Sequence, residues 1–198
     1  NALQLTPASY ISFLVLYRYY DRRYQALFGN AFSQGSTVQN EQGVYMGFQL
    51  TPIARWKLSV YADLFRFPWL KYGIDAPSGG QEYMAQIDYT PSRNYSAYLR
   101  YKYRQKEKNG TFENDNLLKI NTCKQHRIRF QQVYNFSSPF IFKTSLDGIL
   151  FDDPIKKLNK GIMISQSIGW KPTTLPLQID GYLAWFYTDD YNSRVSSY

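Results

Sequence analysis

His126 is the one histidine among 198 residues and Cys123 the one cysteine, so imidazole and thiolate chemistry have a single candidate each. A hydrolase built on His126 needs a nucleophile beside it and a carboxylate to orient it. Its chain neighbour is Arg127, whose charge disfavours an imidazolium, and no Ser-His-Asp order stands out. The same two counts leave too few ligands for a zinc ribbon or a Cys-x-x-Cys site. Asp152-Asp153 and Asp189-Asp190 are the paired carboxylates. Both stand at the base of a polar connection, where Asp ordinarily builds turns; calcium binding is the weaker alternative. Gly79-Gly80 lacks the following helix that a phosphate-cradling loop requires and reads as a turn signal. No catalytic residue, metal or cofactor is expected from these groups.

The richest charged stretch is Arg100 to Arg104, where Lys102 and Arg104 alternate with Tyr101 and Tyr103. Cations interleaved with rings can make a platform for single-stranded nucleic acid. Strict alternation instead puts rings and cations on opposite faces of a strand, so this segment is expected to bind no nucleic acid.

That alternation runs through the chain. Val44, Met46, Phe48 and Leu50 alternate with Tyr45, Gly47 and Gln49, and after Thr51-Pro52 the period resumes with Trp56, Leu58, Val60, Ala62 and Leu64 against Lys57, Ser59, Tyr61 and Asp63. Tyr83 to Tyr89 and Tyr95 to Tyr103 repeat the pattern about Pro91; Ile128 to Phe136 and Phe140 to Leu150 about Ser137-Ser138-Pro139; Ile162 to Trp170 and Leu177 to Tyr187 about Pro172. Proline cannot donate to a ladder, so these positions, with Pro7, are expected to be turns. Propeller blades share the spacing of roughly 40 residues between turns but use shorter, Gly-rich strands. Runs of about ten residues suit a tilted membrane strand.

Composition agrees with that class. The formal charge is +8, aromatics make up 18% of residues, and the mean hydropathy is −0.47. No apolar run approaches the roughly 20 residues of a membrane helix, and the density of Tyr, Phe and Trp argues against disorder. A transmembrane β-barrel needs apolar residues only at alternate positions and places aromatic girdles at both interfaces. Tyr17, Tyr19, Tyr20, Phe65, Phe67, Trp69 and Trp185 to Tyr187 are expected at one girdle; Trp56, Tyr89, Tyr95, Phe136, Phe140 and Trp170 at the other. The expected fold is an all-β, antiparallel up-and-down transmembrane β-barrel.

Roughly nine complete spans are visible, and Asn1 to Leu5 resembles the second half of a tenth. Residues 1–198 are therefore expected to form a single barrel domain that is part of a larger barrel, with the export signal upstream or removed and an upstream segment missing, with or without a downstream one. The Pro turns alternate with longer polar connections: Asp21 to Gln42, Pro68 to Gln81, Gln105 to Gln125, Asp152 to Lys160, and Asp189 onward. In the outer membrane of a Gram-negative bacterium short turns are periplasmic and long loops external.

Positions alternating with the apolar face would line the lumen: Asp63, Asp88, Arg100, Lys102, Arg104, Arg127, Arg129, Lys143, Asp147 and Asp180. With a turn centred near Ser138, Arg129 and Asp147 are equidistant from it and are expected to pair across strands. Arg100, Lys102, Arg104 and Arg127 around them have fewer acidic partners, giving an electropositive lumen-facing wall. The Gln105 to Gln125 connection carries Lys106, Lys108, Lys119 and Lys124 beside Cys123; a solvated charged loop is the commoner reading of such a stretch, and lipopolysaccharide phosphates are the partner it would meet.

YRYYDRRYQALFGNAFSQGS, from Tyr17 to Ser36, and QNEQGVYMGFQLTP, from Gln39 to Pro52, resemble the carboxy-terminal barrel of outer-membrane proteins that carry a periplasmic helix-hairpin-helix region. The specific part is the Leu-Thr-Pro turn followed by an aromatic strand. The helix-hairpin-helix segment is not in this sequence, so no DNA-handling role passes to its residues. The expected function is a non-enzymatic, porin-like outer-membrane barrel, acting as a pore or within a larger envelope complex for transport or assembly. Its partners would be outer-membrane lipid, lipopolysaccharide and other envelope proteins. A barrel-embedded hydrolase is the alternative.

Overall fold

Ten antiparallel strands follow one another without a crossover. The computed structural model describes residues 1–25, 31–35, 37–111, 118–136, 139–154, 158–172 and 176–195, of which 111, 118 and 119 in backbone only. The strands are β1 (Ala2–Ala8), β2 (Ile11–Tyr20), β3 (Glu41–Ile53), β4 (Trp56–Phe67), β5 (Ser78–Ser92), β6 (Tyr95–Thr111), β7 (Leu118–Asn135), β8 (Phe140–Asp152), β9 (Asn159–Trp170) and β10 (Ile179–Thr188). Each pairs with its sequence neighbours to give one up-and-down sheet, open at β1 and β10. Among the described residues no helix is long and apolar enough to cross a membrane.

The period-two pattern sorts the residues onto two unlike faces. On one face Leu5, Val15, Met46, Leu64, Ile87, Leu99, Ile128, Leu146, Ile164 and Leu183, one from each strand, are all at least 41% exposed. The other face carries the charges, and there Glu41, Asp63, Phe65, Phe67 and Asp147 are 5% exposed or less. A single layer buries one of its own faces by curling around it and by folding its connections over it, as Gln34 and Gly35 do at Glu41 and Asp63. The charged face is therefore the inner one and the apolar face the outer.

Pro7, Pro52 and Pro91 lie at bulges set just before the turns, whereas Pro139 and Pro172 lie outside the strands. Leu50 pairs with Leu58 and Ile53 with Trp56, so β3 advances three residues while β4 advances two, and the extra residue is accommodated at Thr51-Pro52. The same shift occurs between Leu5 and Ala8 and between Tyr89 and Ser92. A bulge has an unpaired position, which suits a residue with no N–H to donate. Two-residue turns follow, at Ser9-Tyr10, Ala54-Arg55 and Arg93-Asn94. Their last carbonyls accept from the next hairpin: Thr51 N–H donates to Tyr10, Thr90 to Arg55 and Asn135 to Asn94, at 2.7 to 2.9 Å. The turn at Ser137-Ser138 lies outside the described residues.

Two expectations are corrected. The segment Gln105 to Gln125 is mostly strand rather than loop: β6 and β7 pair as far as Thr111 and Leu118, whereas β5 leaves β6 at Lys106. Beyond that point lies a two-stranded ribbon. It is mostly polar on both faces, and Leu118 and Ile120 are too short an apolar alternation to reveal it. It is tied down by the start of β5, where Glu107 accepts from Gly79 N–H at 2.6 Å, and by the 68–77 connection, where Asn109 donates to Asp75 at 2.8 Å. The second correction concerns Phe65 and Phe67. They share parity with Asp63 and are buried on the inner face, so they belong to no outer girdle. Outward aromatic contacts at the turn end include Trp56 with Tyr89, ring centroids 4.4 Å apart, and Phe136 with Tyr134 and Phe142.

Candidate functional site

The inner face holds the site. On β6 every second residue from Arg100 to Lys108 is basic, namely Arg100, Lys102, Arg104, Lys106 and Lys108. At the rise of an extended strand this row is about 27 Å long. Arg127 and Arg129 stand beside Lys102 and Arg100 on β7. All six residues of the expected wall thus share one face, with Asp147 following on β8.

The acids are concentrated at three points. Asp147 is the register partner of Arg129; Arg129 Nε donates to its Oδ1 at 2.6 Å, and Arg127 Nη2 reaches the same oxygen at 3.3 Å. Glu82 on β5 takes Lys102 and Arg104, each at 2.9 Å, and the Tyr61 hydroxyl at 2.6 Å. Arg100 meets an amide, donating to Gln86 Oε1 at 2.7 Å. Its partner Gln86 in turn donates to Asp88 at 2.6 Å.

The third point has the most buried ions. Arg18 on β2 donates to Glu41 on β3 at 2.6 Å and, through both terminal nitrogens, to Asp63 on β4 at 2.6 and 3.2 Å. Arg18 can reach β4 because its register partner on β3 is Gly43. A side chain there would meet the guanidinium at 2.6 Å. Gln34 and Gly35, among the described residues of the β2–β3 connection, lie over this cluster. Gln34 and Gly35 donate their backbone N–H groups to Glu41, and the Gln34 amide donates to Asp63 at 2.8 Å. From the basic row, Arg104 and Lys106 donate to the Gln34 side-chain and main-chain oxygens at 2.8 and 2.9 Å. Gln34 therefore bridges the acidic β3–β4 side to the basic β6 side. Lys106 lies beyond the outer apolar row, which on β6 ends at Tyr103. Burial, then the nearby Arg104 and Lys71, push its ammonium down to about 7.

A second inward fold follows β10. Asp190 caps a 3₁₀ turn over Tyr191–Ser193, which lies against β8 and β9. Gly161 makes room for it, since a Cβ there would collide with the Ser193 carbonyl. Asp189 accepts from Lys160 N–H. These two carboxylates thus serve local structure, and among the described residues no group of three or more potential metal ligands occurs.

The remaining candidates separate. His126 lies within β7 rather than at its start, on the outer face, 2.8 Å from the Tyr101 hydroxyl through Nδ1 and 5.0 Å from the Tyr103 ring. The sheet stands between it and Asp63 or Asp147. Cys123 is buried on the inner face as the register partner of Lys106. Lys106 and Lys108 also turn inward while Lys124 is exposed on the other face, so they do not form the one external basic patch expected for lipopolysaccharide. The side chain of Lys119 lies outside the described residues.

Sequence reading missed Arg18, Gln34, Glu41 and Glu82. Arg18 carried a signal: it is the one charge in ISFLVLYRYY, four residues from Leu14 on the same face. Glu41 and Glu82 share parity with Tyr45 and Met84 and were legible by counting. Gln34 sits in a connection and had none. No protein-family model, curated protein or solved structure matches the chain.

Proposed function

We propose that the chain forms the wall of an outer-membrane β-barrel whose water-facing lumen favours anions. The observation that carries this is the two-faced sheet: an exposed apolar surface that reaches all ten strands, interrupted on β7, β8 and β9 by Gln132, Thr144 and Gln166, backs a row of five basic residues on β6. Exposed apolar area of that extent needs a covering, and lipid covers every strand alike. The Leu-Thr-Pro turns of the resembling barrels recur as bulged two-residue turns, and the longer connections stand at the opposite end. The short turns are then periplasmic. In a closed barrel β1 and β10 would be satisfied by each other or by further strands, because no open edge is tolerated in hydrocarbon. A hydrolase has no observation in its favour, with His126 on the outer face.

Fixed cations raise the local concentration of anions, an effect screened over a Debye length of about 8 Å at physiological salt. The protein in planar bilayers under a KCl gradient should show a reversal potential of anion preference, and R100Q/R127Q should move it toward zero. Cation selectivity in the wild type would overturn the proposal. Zero conductance would assign the inward segment around Gln34 as a plug and the barrel as a docking component of an envelope complex.

Orientation has its own test. With Cys123 replaced by Ser, Tyr72→Cys in the 68–77 connection should react with an impermeant maleimide on intact cells, since Tyr72 is fully exposed. Arg93→Cys, in a two-residue turn, should react only after the outer membrane is opened. Labelling of Arg93→Cys alone on intact cells would invert the topology.

A further inference from the structure

Among the described residues, a cavity of about 390 Å³ opens on the inner face between the basic row and the 3₁₀ turn after β10. Its lining includes Arg104, Lys106, Lys108, Arg127 and Arg194, and no carboxylate. Five basic side chains and no acid around a space of ligand size call for an explanation. Arg104 and Arg127 share Glu82 and Asp147 with their neighbours. The others are differently satisfied. Lys106 donates to a carbonyl, Lys108 sits over the Phe151 ring at 5.4 Å, and Arg194 stacks on Tyr191 at 4.2 Å; among the described residues none of these three has a carboxylate within 4 Å. Asp152 and Asp153 are near enough to Cys123 to act on it, yet neither lines the cavity. Gln125, Tyr191 and Asn192 add neutral polar groups to the wall.

We infer that this cavity is a binding site for a soluble multivalent oxyanion of the phosphate class, held by Lys106, Lys108 and Arg194. Several donors converging from three elements, β6, β7 and the turn after β10, match a group with oxygens on several sides. Single halide ions would use one cation at a time. Charge-assisted hydrogen bonds to phosphate oxygens are the strong ones, and guanidinium can engage them in pairs. The inference rests on the proposed water-facing lumen, and it places a holding point at the loop-side end of the basic row. A phosphate carried by a lipid headgroup has the same chemistry but would have to reach a cavity on the face opposite the apolar surface.

Calorimetry on the full chain in detergent at constant ionic strength tests this without requiring conductance. Pyrophosphate should bind saturably and about tenfold tighter than inorganic phosphate. K106A/K108A should weaken it by about tenfold or more, K106R/K108R should restore it, and K143A, on the inner face outside this cavity, should leave it unchanged. No saturable binding of pyrophosphate, or binding indifferent to K106A/K108A, would overturn the site. A phosphorylated glycolipid in mixed micelles should fail to displace pyrophosphate; displacement would overturn the assignment to a soluble ligand. Anion preference in bilayers with no pyrophosphate binding would sink this inference alone, while binding without anion preference would sink the proposed pore and leave the site standing.

Discussion

Asp63→Ala should cost the folded protein about 3–5 kcal/mol, the range seen when one partner of a buried ion pair is removed. Asp63 is fully buried and accepts both terminal nitrogens of Arg18 together with the Gln34 amide. Without it, Arg18, itself 3% exposed, keeps Glu41 as its one carboxylate partner among the described residues, and the inward segment loses one of its holds. Asp63→Asn keeps an acceptor and the shape but removes the charge, so its cost should fall between that of Asp63→Ala and zero. Asp88→Ala is the control, because Asp88 is half-buried on the same inner face and accepts from Gln86; its cost should be about 1 kcal/mol or less. Urea unfolding of the refolded barrel in lipid vesicles, followed by tryptophan fluorescence, supplies the comparison. Equal costs for Asp63→Ala and Asp88→Ala would show that the Arg18 cluster is not an anchoring point.

Which parts of this were legible in the sequence depends on where an apolar face exists to report the strand. From Gly43 to Leu50 and from Trp56 to Leu64 one face is apolar, so alternation fixes both the strand and the parity of each charge. Register then follows from the turns, which is how Arg129 and Asp147 could be placed opposite each other from the numbering alone. The β6–β7 ribbon beyond Lys106 has only Leu118 and Ile120 as apolar alternation, and its pairing depends on backbone hydrogen bonds that any residue supplies. Its continuation as strand, and the inward aim of Lys106 and Lys108, were therefore invisible. Prolines were correctly read as marking strand ends, but a proline at a bulge and one in a turn leave the same trace, a missing N–H. Phe65 and Phe67 show the limit of composition: aromatics crowd strand ends on either face, and only parity with Asp63 tells that these two point inward. The inward fold of the β2–β3 connection is a tertiary matter. Nothing local in Ser33-Gln34-Gly35 distinguishes it from any polar loop, and the contacts that hold it come from β3, β4 and β6.

Val60→Arg should destabilise the barrel by about 2–4 kcal/mol, and Ser59→Arg far less. The two residues are adjacent on β4 and differ only in face. Val60 is flanked in register by Phe48 and Ala85, on the surface that also presents Leu64 and Ile87. It stands four residues from the Trp56–Tyr89 pair, about 13 Å along the strand, which puts it well inside an apolar layer bounded by that pair. An arginine there has no polar neighbour within the layer, and its guanidinium must reach an interface or carry water inward. Ser59 faces Gln49 and Gln86 and lines an inner cavity of about 220 Å³ with Tyr61 and Ser12. A guanidinium at Ser59 enters a polar, water-accessible space where it finds acceptors. The same vesicle-based unfolding measurement reads both variants. If the outer face meets lipid, the difference between them should shrink when the substitution is moved to Trp56, at the edge of the layer. Equal costs at Val60 and Ser59 would mean that protein covers both faces of β4, as in a soluble sandwich, and the membrane assignment would fall with the anion-favouring lumen that depends on it.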